Sequence, residues 1–431
     1  MNVDVLVAGA GPAGLAAAVE LRRAGVDRVL VADREQAAGG VPRHCQHTGF
    51  GARDLHRVVT GPAYARRYVA DAARLGAEIR TETTVTGWAG DRELTLTSPH
   101  GIETVHAAAV LLATGCRERP RPARLVPGSR VPGIMTTGEL QQRVYLHGQR
   151  LPGRAVIVGA EHVSFSALVT LAHAGAEVAG LVTGYPEQQS YRAFALGARL
   201  RWHAPVWVNH TVSRVVATPD SRLAGVELTD TRSGAIRFVR CELLVFTGDW
   251  IPDHELARAG GVPLDPGTRG PAVDTALETG TPLVFAAGNL IHPAETADVA
   301  ALTGRHAARH IAAALAASTV SASTVSASTV SARTVPAGQV PTAPRVPLAV
   351  EPPLRWISPS AVRPPLLPPR GRFLLRCDSF HPAARLEVRQ GGRLLAIARS
   401  GRLIPGRPVH LPGGWAAQAD PAAGPIQIRL A

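Results

Sequence analysis

The sequence predicts an α/β protein that has two successive strand–helix–strand motifs and a small all-β module after them. Three observations support this prediction. Apolar strand-like runs alternate with helical runs, a glycine-rich turn lies inside the first motif, and the composition changes abruptly near residue 318. Because a strand–helix–strand connection requires a parallel sheet with a right-handed crossover, we expect each motif to form a layered domain.

Size and composition fit a globular chain of two or three domains. The chain has 431 residues, of which 45% are hydrophobic and 18% charged, so it can form real cores. The net charge is +13, and lysine is absent. The arginines are spread over the whole chain and aromatic residues make up only 4%, so we expect no nucleic-acid binding.

The cysteines argue against several kinds of site. None of Cys45, Cys116, Cys241 and Cys377 forms a Cys-x-x-Cys pair, so we predict no metal, no iron–sulfur cluster and no local redox disulfide. The N-terminus shows no signal-like segment, and no apolar run is long enough to span a bilayer. We therefore expect a cytoplasmic protein without a membrane span.

The first motif consists of a strand at 2–8, a helix at 15–24 and a strand at 29–32. A Gly-x-Gly-x-x-Gly turn joins the first strand to the helix, which is the context that dinucleotide binding requires. Gly9 permits the tight turn, Gly11 lets the backbone approach a pyrophosphate, and Gly14 allows close packing of helix and strand. We predict cofactor contacts from the turn and from the acid that ends the second strand: Gly9, Gly11, Pro12, Ala13, Gly14 and Asp33.

Two later segments carry further signatures. Three β-rich runs (79–86, 93–98 and 102–106) look like a meander, and the strand after it, 109–114, ends in Thr114-Gly115. The apolar run 283–287 leads through Gly288 and Asn289 to a helix at about 298–316. We expect Thr114, Gly115, Gly288 and Asn289 to contact the same cofactor, and the start of the later helix to point toward it.

The second motif departs from the nucleotide-binding pattern. Its strand is 155–158, its helix 163–174 and its next strand 177–182. Gly159 is kept, but Glu161 replaces the glycine that a pyrophosphate needs close to it. Either a nicotinamide nucleotide binds through an altered loop, or the fold is a scaffold that binds none. We favour the scaffold, with Glu161 excluding the nucleotide.

The composition then changes. The pentapeptide Ser-Thr-Val-Ser-Ala occurs three times between 318 and 332, and prolines follow, so we predict a linker over 318–348. Short β-like runs separated by Pro and Gly then indicate a small β module over 349–431, with strands at 372–377, 384–389, 393–399 and 425–430.

The three signatures at 9–14, 111–115 and 284–289, in this order, resemble the flavoproteins with two dinucleotide-binding domains that are related to thioredoxin and glutathione reductases. The resemblance covers about 1–317 and implies two nested Rossmann-like three-layer domains, with FAD as the bound cofactor. It implies an FAD domain made of 1–125 and 251–317 and an NAD(P)-like domain at 126–250. We also expect Arg34, Gly40 and Val85 to contact FAD. In this family an Asp usually stands where this chain has Asn289.

A narrower resemblance comes from 39–51 and from Gly115-Cys-Arg-Glu-Arg119. These segments are similar to a branch that includes anaerobic glycerol-3-phosphate dehydrogenase and the flavoprotein subunits of opine oxidases and cyanide synthases. The resemblance implies oxidation of a small polar substrate at a C–O or C–N bond, or a role as an electron-transfer subunit.

Four side chains are candidates for chemistry. Cys45 could act alone as a thiolate whose pKa is lowered by His44 and His47, or it could be a small buried residue. His47 could be an acid–base group or a structural histidine beside FAD. His292 and Glu295 could line a pocket for a polar or cationic substrate, or they could simply lead into the helix, with Thr296 as its N-cap.

These observations predict an FAD-dependent oxidoreductase that passes electrons from flavin to a partner, a quinone or oxygen. One alternative is an NAD(P)H-dependent flavoprotein reductase. Another is a subunit that relays electrons inside a larger dehydrogenase, and a weaker one is a flavin-binding sensor.

Overall fold

The computed structural model describes residues 1–293, 295–325 and 344–431. The chain forms two compact units. Unit 1 consists of Met1–Arg43, Thr48–Cys116 and Pro252–Ala431, and unit 2 consists of His44–His47 and Arg117–Ile251. Unit 2 is therefore inserted into unit 1 along the chain, which is the nesting that the sequence predicted.

The first 116 residues supply most of the parallel sheet of unit 1. The helices are α1 (Pro12–Arg23) and α2 (Gly61–Arg74). The strands, in chain order, are β1 (Asn2–Ala8), β2 (Val29–Ala32), β3 (Thr48–Phe50), β4 (Val59–Thr60), β5 (Glu78–Arg80), β6 (Thr84–Gly90), β7 (Glu93–Ser98) and β8 (Gly101–Leu112).

The main sheet has the order β5-β2-β1-β8-β7-β6, and the strand Val284–Ala286 pairs with β8. The expected meander is partly wrong. Its first run is two strands: β5 pairs in parallel with β2, and β6 pairs antiparallel with β7. The predicted strands 102–106 and 109–114 are one strand, β8, because its first half pairs with β7 and its second half with β1.

Unit 2 contains a second parallel sheet. Its helices are α3 (Thr137–Gln141), α4 (His162–Ala174) and α5 (Arg192–Trp202), of which α3 and α5 were not predicted. The strands in this part of the chain are β9 (Cys116–Glu118), β10 (Ile134–Thr136), β11 (Gly153–Val158), β12 (Ala176–Val182), β13 (Val206–Trp207), β14 (His210–Ala217), β15 (Leu223–Asp230), β16 (Ile236–Arg240), β17 (Leu243–Phe246) and β18 (Trp250–Pro252).

The parallel strands of unit 2 have the order β10-β17-β11-β12-β13, and β14-β15-β16 form a separate antiparallel sheet. The second strand–helix–strand motif is thus present as predicted, through β11, α4 and β12. Both parallel sheets with helices confirm the α/β class with two Rossmann-like folds.

The chain returns to unit 1 through α6 (Glu255–Ala259), β19 (Val284–Ala286) and α7 (Ala297–Val325). Helix α7 packs closely on α1, since a Cβ on Gly304 would lie 2.0 Å from the carbonyl oxygen of Ala13. It also continues past the predicted end at 316, because the first Ser-Thr-Val-Ser-Ala copy contains neither Gly nor Pro to stop it. Residues 326–343 of the predicted linker lie outside the described residues. The predicted linker end at 348 is wrong, because the first strand of the β module, Val346–Val350, already begins inside it.

The C-terminal β module is confirmed as β sheets over their own core, in which Phe373 and Trp415 stack with ring centroids 4.9 Å apart. Its strand pairs are antiparallel apart from one parallel pair, in which Leu348 lies opposite Ile426. The strands are β20 (Val346–Val350), β21 (Leu354–Ser358), β22 (Ala361–Val362), β23 (Arg372–Cys377), β24 (His381–Gln390), β25 (Arg393–Leu403), β26 (Val409–Pro412) and β27 (Ile426–Leu430). The two sheets have the orders β22-β20-β27-β24-β25 and β21-β23-β26.

Buried ion pairs join the β module to the rest of unit 1. Asp274, whose side chain is fully buried, accepts from Arg363 Nε at 2.8 Å and lies 2.9 Å from Arg345 Nε. Glu278 accepts from Arg363 as well. Burial raises the pKa of Asp274, and the two arginines oppose that effect. The module is therefore fastened to unit 1 by charges that compensate one another.

Candidate functional site

The glycine turn between β1 and α1 has one open position and two closed ones. Gly9 has φ +109°, and a Cβ there would lie 2.5 Å from the carbonyl oxygen of Ala113. A Cβ on Gly14 would lie 1.9 Å from the carbonyl oxygen of Gly9, whereas a Cβ on Gly11 would meet nothing within 4 Å. The backbone at Gly11, the N-cap of α1, therefore faces open space, and no side chain caps the helix.

Asp33 holds this turn in place. Its Oδ2 accepts a hydrogen bond from the backbone N–H of Ala10 at 2.6 Å, and its Oδ1 accepts one from Glu35 at 2.9 Å. Gly40 lies on the other side of the turn, since a Cβ on Gly40 would be 2.9 Å from Gly11 Cα. The predicted residues Gly11, Asp33 and Gly40 are thus together, with Pro12 and Ala13 in the first turn of α1.

Three other predicted cofactor residues meet at Asp253, where the chain returns to unit 1. Thr114 Oγ1 donates to the Asp253 carbonyl oxygen at 2.7 Å, and the Gly115 carbonyl oxygen accepts from Asp253 N–H at 2.9 Å. Arg34 Nη2 lies 3.4 Å from the Asp253 carboxylate. Sequence reasoning did not assign Asp253 this role. Val85 is half-buried on β6, opposite Leu96, and packs against the hydrophobic core of unit 1.

The Gly288-Asn289 signature lies between β19 and α7. A Cβ on Gly288 would lie 2.7 Å from Ala13 Cβ, so the signature is against the start of α1. Asn289 Nδ2 donates to the Glu295 carbonyl oxygen at 3.1 Å, and Asn289 Oδ1 accepts from Glu295 N–H at 3.0 Å. Because a carboxylate could make only the second of these bonds, the amide suits this loop better than the family's usual Asp.

Glu295 connects this loop to the β module. Its carboxylate pairs with Arg376 of β23 at 2.5 Å, and both side chains are buried. Arg376 also lies 5.3 Å from the ring of Trp356, which stacks on His292 at 6.1 Å. The interpretation of Glu295 as a group for a cationic substrate is therefore not supported, because Arg376 already neutralises its charge. Burial lowers the pKa of His292 to about 4, so it is neutral at pH 7.

Cys45 lies in unit 2 and is buried there. Its Sγ donates to Gln141 Oε1 at 3.4 Å, and Gln141 in turn donates to Ser166. Burial, with the nearby charge of Glu118, raises the pKa of Cys45 to about 12. The expectation that His44 and His47 lower this pKa is wrong, because the loss of water around the buried thiol raises it. His47 is exposed and His44 buried.

Glu118 is a buried carboxyl group that sequence reasoning did not single out. Its Oε2 accepts from the backbone N–H of Gly138 at 2.7 Å, at the start of α3. Burial raises its pKa to about 7, despite that hydrogen bond. The only sequence signal was its place in the Gly-Cys-Arg-Glu-Arg segment, and burial could not be inferred from that segment.

The second glycine turn is closed by Glu161. Its Oε1 accepts from Thr247 Oγ1 at 2.5 Å, and Thr247 also contacts Ser164 Oγ at 2.6 Å. A Cβ on Gly159 would lie 2.7 Å from Glu161 Oε2, and a Cβ on Gly248 2.8 Å from its Oε1. The carboxylate therefore fills the space beside the turn, instead of capping α4 as a resident anion.

The loop after β12 covers the same turn. The backbone N–H groups of Gln189 and Ser190 both donate to the Ala160 carbonyl oxygen at 3.1 Å. Thr183, at the end of β12, donates to Gln189 Oε1 at 3.2 Å. Chain segments thus lie over the end of the sheet where a dinucleotide would extend from its pyrophosphate.

Among the described residues, no three His, Cys, Asp or Glu side chains are grouped as metal ligands would be. None of the described helices has the length and apolar character of a membrane-spanning segment.

The model of the pyridine nucleotide-disulphide oxidoreductase family matches residues 3–308. The chain belongs to this family. The resemblance that the three signatures predicted is therefore confirmed, and this family member is an oxidoreductase of the nucleotide-binding flavoprotein class. Thioredoxin reductase from T. acidophilum, at 22% identity, covers 72% of this chain and 98% of that one with a TM-score of 0.61, which shows a common fold.

Curated relatives match parts of this chain. The HcnB subunit of hydrogen cyanide synthase from Pseudomonas aeruginosa is 31% identical over 47% of this chain and 41% of that protein. An opine oxidase subunit from Agrobacterium tumefaciens is 34% identical over 36% of this chain and 32% of that protein. Ferredoxin–NADP reductase from Ignicoccus hospitalis is 25% identical over 70% and 94%. The chain thus spans less than half the length of the first two.

Proposed function

We propose that this oxidoreductase binds FAD at the first glycine turn and oxidises a small polar substrate at a C–N or C–O bond. Electrons would then pass to a partner protein, a quinone or oxygen. The observation that carries the proposal is the contrast between the two glycine turns: Gly11 faces open space, whereas Glu161 fills the space beside Gly159.

The first turn fits an FAD pyrophosphate. The absence of a side chain at Gly11 leaves the approach free, and the uncapped first turn of α1 offers N–H groups and positive potential to the phosphates. Asp33 fixes the turn through Ala10, and its partly exposed carboxylate is placed to accept from a ribose hydroxyl. Bound FAD would supply the two-electron chemistry by accepting a hydride from the substrate.

The second turn does not fit a nicotinamide nucleotide. The Glu161 carboxylate occupies space that the nucleotide's pyrophosphate needs, and it is negatively charged like the phosphates. Gln189 and Ser190 fasten the following loop over the same turn. Reduction by the substrate itself is therefore favoured over reduction by NAD(P)H, and the second fold is proposed to be a scaffold.

Two other functions have support. The likeness to ferredoxin–NADP reductase covers 94% of that protein and favours an NAD(P)H-dependent reductase. The names of the HcnB and opine oxidase relatives identify them as subunits, which favours an electron-relay role beside a partner chain.

Flavin reduction separates these functions. The full chain is purified anaerobically and loaded with FAD, and its absorbance is followed during addition of NADH, NADPH, amino acids, opines and hydroxy acids. We expect a small substrate to bleach the flavin and both nucleotides to leave it oxidised. Rapid bleaching by micromolar NADH or NADPH would establish the reductase instead. A folded protein that rejects FAD would overturn all of these functions.

A further inference from the structure

A group of arginines lies where the β module meets the beginning of α7. Arg370 lies in the turn Pro369–Gly371, and Arg372 begins β23. Both line a crevice of unit 1 together with His292, Val299 and Ser358. The crevice thus lies between the β module and the segment that follows the Gly288-Asn289 signature.

The charges around this crevice do not balance. Arg376 is paired with Glu295, and Arg53 lies 3.6 Å from Asp298. Within the described part of the chain, no hydrogen bond or ion pair engages the side chains of Arg370 and Arg372. Burial, together with Arg372 and Arg53, lowers the pKa of Arg370. Burial and Arg372 also lower the pKa of His410. The crevice therefore carries excess positive charge.

Two further features indicate that the crevice is built to hold something. Arg370 has φ +59°, a left-handed conformation that is costly for a residue with a side chain, and such strain concentrates at binding sites. His292 is buried, and its Nδ1 has no hydrogen-bond partner in the described residues. An unsatisfied buried nitrogen costs about 1–3 kcal/mol unless a ligand or water reaches it.

We propose that this crevice binds the carboxylate of a small-molecule substrate, with Arg370 and Arg372 as its cationic partners. The inference rests on the proposed function, because the bound molecule is a substrate only if the neighbouring signature holds FAD. A carboxylate suits the site since its planar edge matches a guanidinium fork. The enclosed part is about 10 Å³, which is the space of about one water-sized group such as a single carboxylate oxygen.

Anion binding is measured on the full chain loaded with FAD, by thermal unfolding at constant ionic strength. Glycolate, acetate and inorganic phosphate are the probes, and sodium chloride is the reference. We expect glycolate at ten times its Kd to raise Tm by about 2 °C in the original chain. Arg370→Gln and Arg372→Gln should each abolish this shift, whereas Arg399→Gln, on the exposed strand β25, should keep it.

The outcomes are separable. A shift with phosphate alone, or an equal shift in all three variants, overturns the carboxylate site. No shift with any probe, in protein whose absorbance shows bound FAD, overturns the inference and leaves the proposed function standing. If the protein rejects FAD but its Tm still rises with glycolate in a way that depends on Arg370, the proposed oxidase function is overturned and the anion site stands. Arg370→Lys, which keeps the charge, should retain part of the shift.

Discussion

The carboxylate of Glu161 accepts a hydrogen bond from Thr247 at 2.5 Å and lies against both Gly159 and Gly248. This relationship distinguishes the two nested folds. The glycine turn of unit 1 leaves space for a cofactor, while that of unit 2 is closed by a side chain of its own loop. A fold that keeps its strands can lose its ligand through one such substitution.

Removing this carboxylate should weaken unit 2 and leave the first glycine turn intact. We expect Glu161→Ala to lower the free energy of unfolding by about 1 kcal/mol, because one side-chain hydrogen bond is lost. FAD content should not change. Urea unfolding and flavin absorbance measure both quantities. Glu177→Ala, at an exposed ion pair, is the control and should cost less than about 0.5 kcal/mol.

Substitution of two glycines of the first turn should affect different properties, FAD binding in one case and folding in the other. Gly11→Ala should fold normally, because its Cβ meets no protein atom, but it should weaken FAD binding at least about tenfold. Gly14→Ala should fail to fold or lose several kcal/mol, because its Cβ would overlap the Gly9 carbonyl. FAD titration and thermal unfolding separate the two effects. Unchanged FAD affinity in folded Gly11→Ala would place the cofactor elsewhere.

Asn289→Asp restores the residue that the family usually has. We nevertheless expect it to destabilise the loop by about 1–3 kcal/mol, because a carboxylate cannot donate to the Glu295 carbonyl oxygen. Thermal unfolding measures the loss. Unchanged stability with tighter FAD binding would show instead that position 289 serves the cofactor and not the loop.

The buried Arg376–Glu295 pair should show strong coupling. Arg376→Met alone should cost about 3–5 kcal/mol, because Glu295 keeps a buried charge without its partner. The double variant with Glu295→Gln should recover much of that loss. A double-mutant cycle in urea measures the coupling, and the exposed Arg222–Asp220 pair is the reference, at which the coupling should be much weaker. If the losses of unfolding free energy in the two single variants simply add in the double variant, Arg376 and Glu295 are not coupled.

Glu118 should make stability fall as the pH rises. Its pKa in the folded protein is raised from 4.5 to about 7, so the folded state holds a proton that the unfolded state releases between these values. The stabilisation is complete below about pH 4.5 and is lost by pH 7. Glu118→Gln should remove this slope, measured as the difference in unfolding free energy between the two proteins from pH 4.5 to 8. Parallel curves would contradict the raised pKa.

The sequence was a good guide wherever the chemistry is local. The turn at Gly9, Gly11 and Gly14 follows from backbone sterics. The alternation of apolar strands with helices correctly predicted the two parallel sheets. Glu161 stood out for the same reason, since a glutamate cannot occupy a glycine position without filling the space beside it.

Long-range packing could not be predicted in this way. The thiol of Cys45 looked reactive beside two histidines, but it is buried, donates to Gln141 and has its pKa raised further by the charge of Glu118, and both residues are distant in sequence. Likewise, Asp274 and Arg363 are 89 positions apart, and nothing in their local sequences pairs them. Burial and charge compensation of this kind exist only once the chain has folded.

The ionic contact between Asp274 and Arg363 also bears on how the protein could be shortened. Ending the chain at the serine-rich repeats would remove Arg345 and Arg363, the two arginines that pair with the buried carboxylate of Asp274. The shortened chain would then lack the charges that compensate Asp274, so the tail that carries no recognised motif also helps to stabilise the remainder.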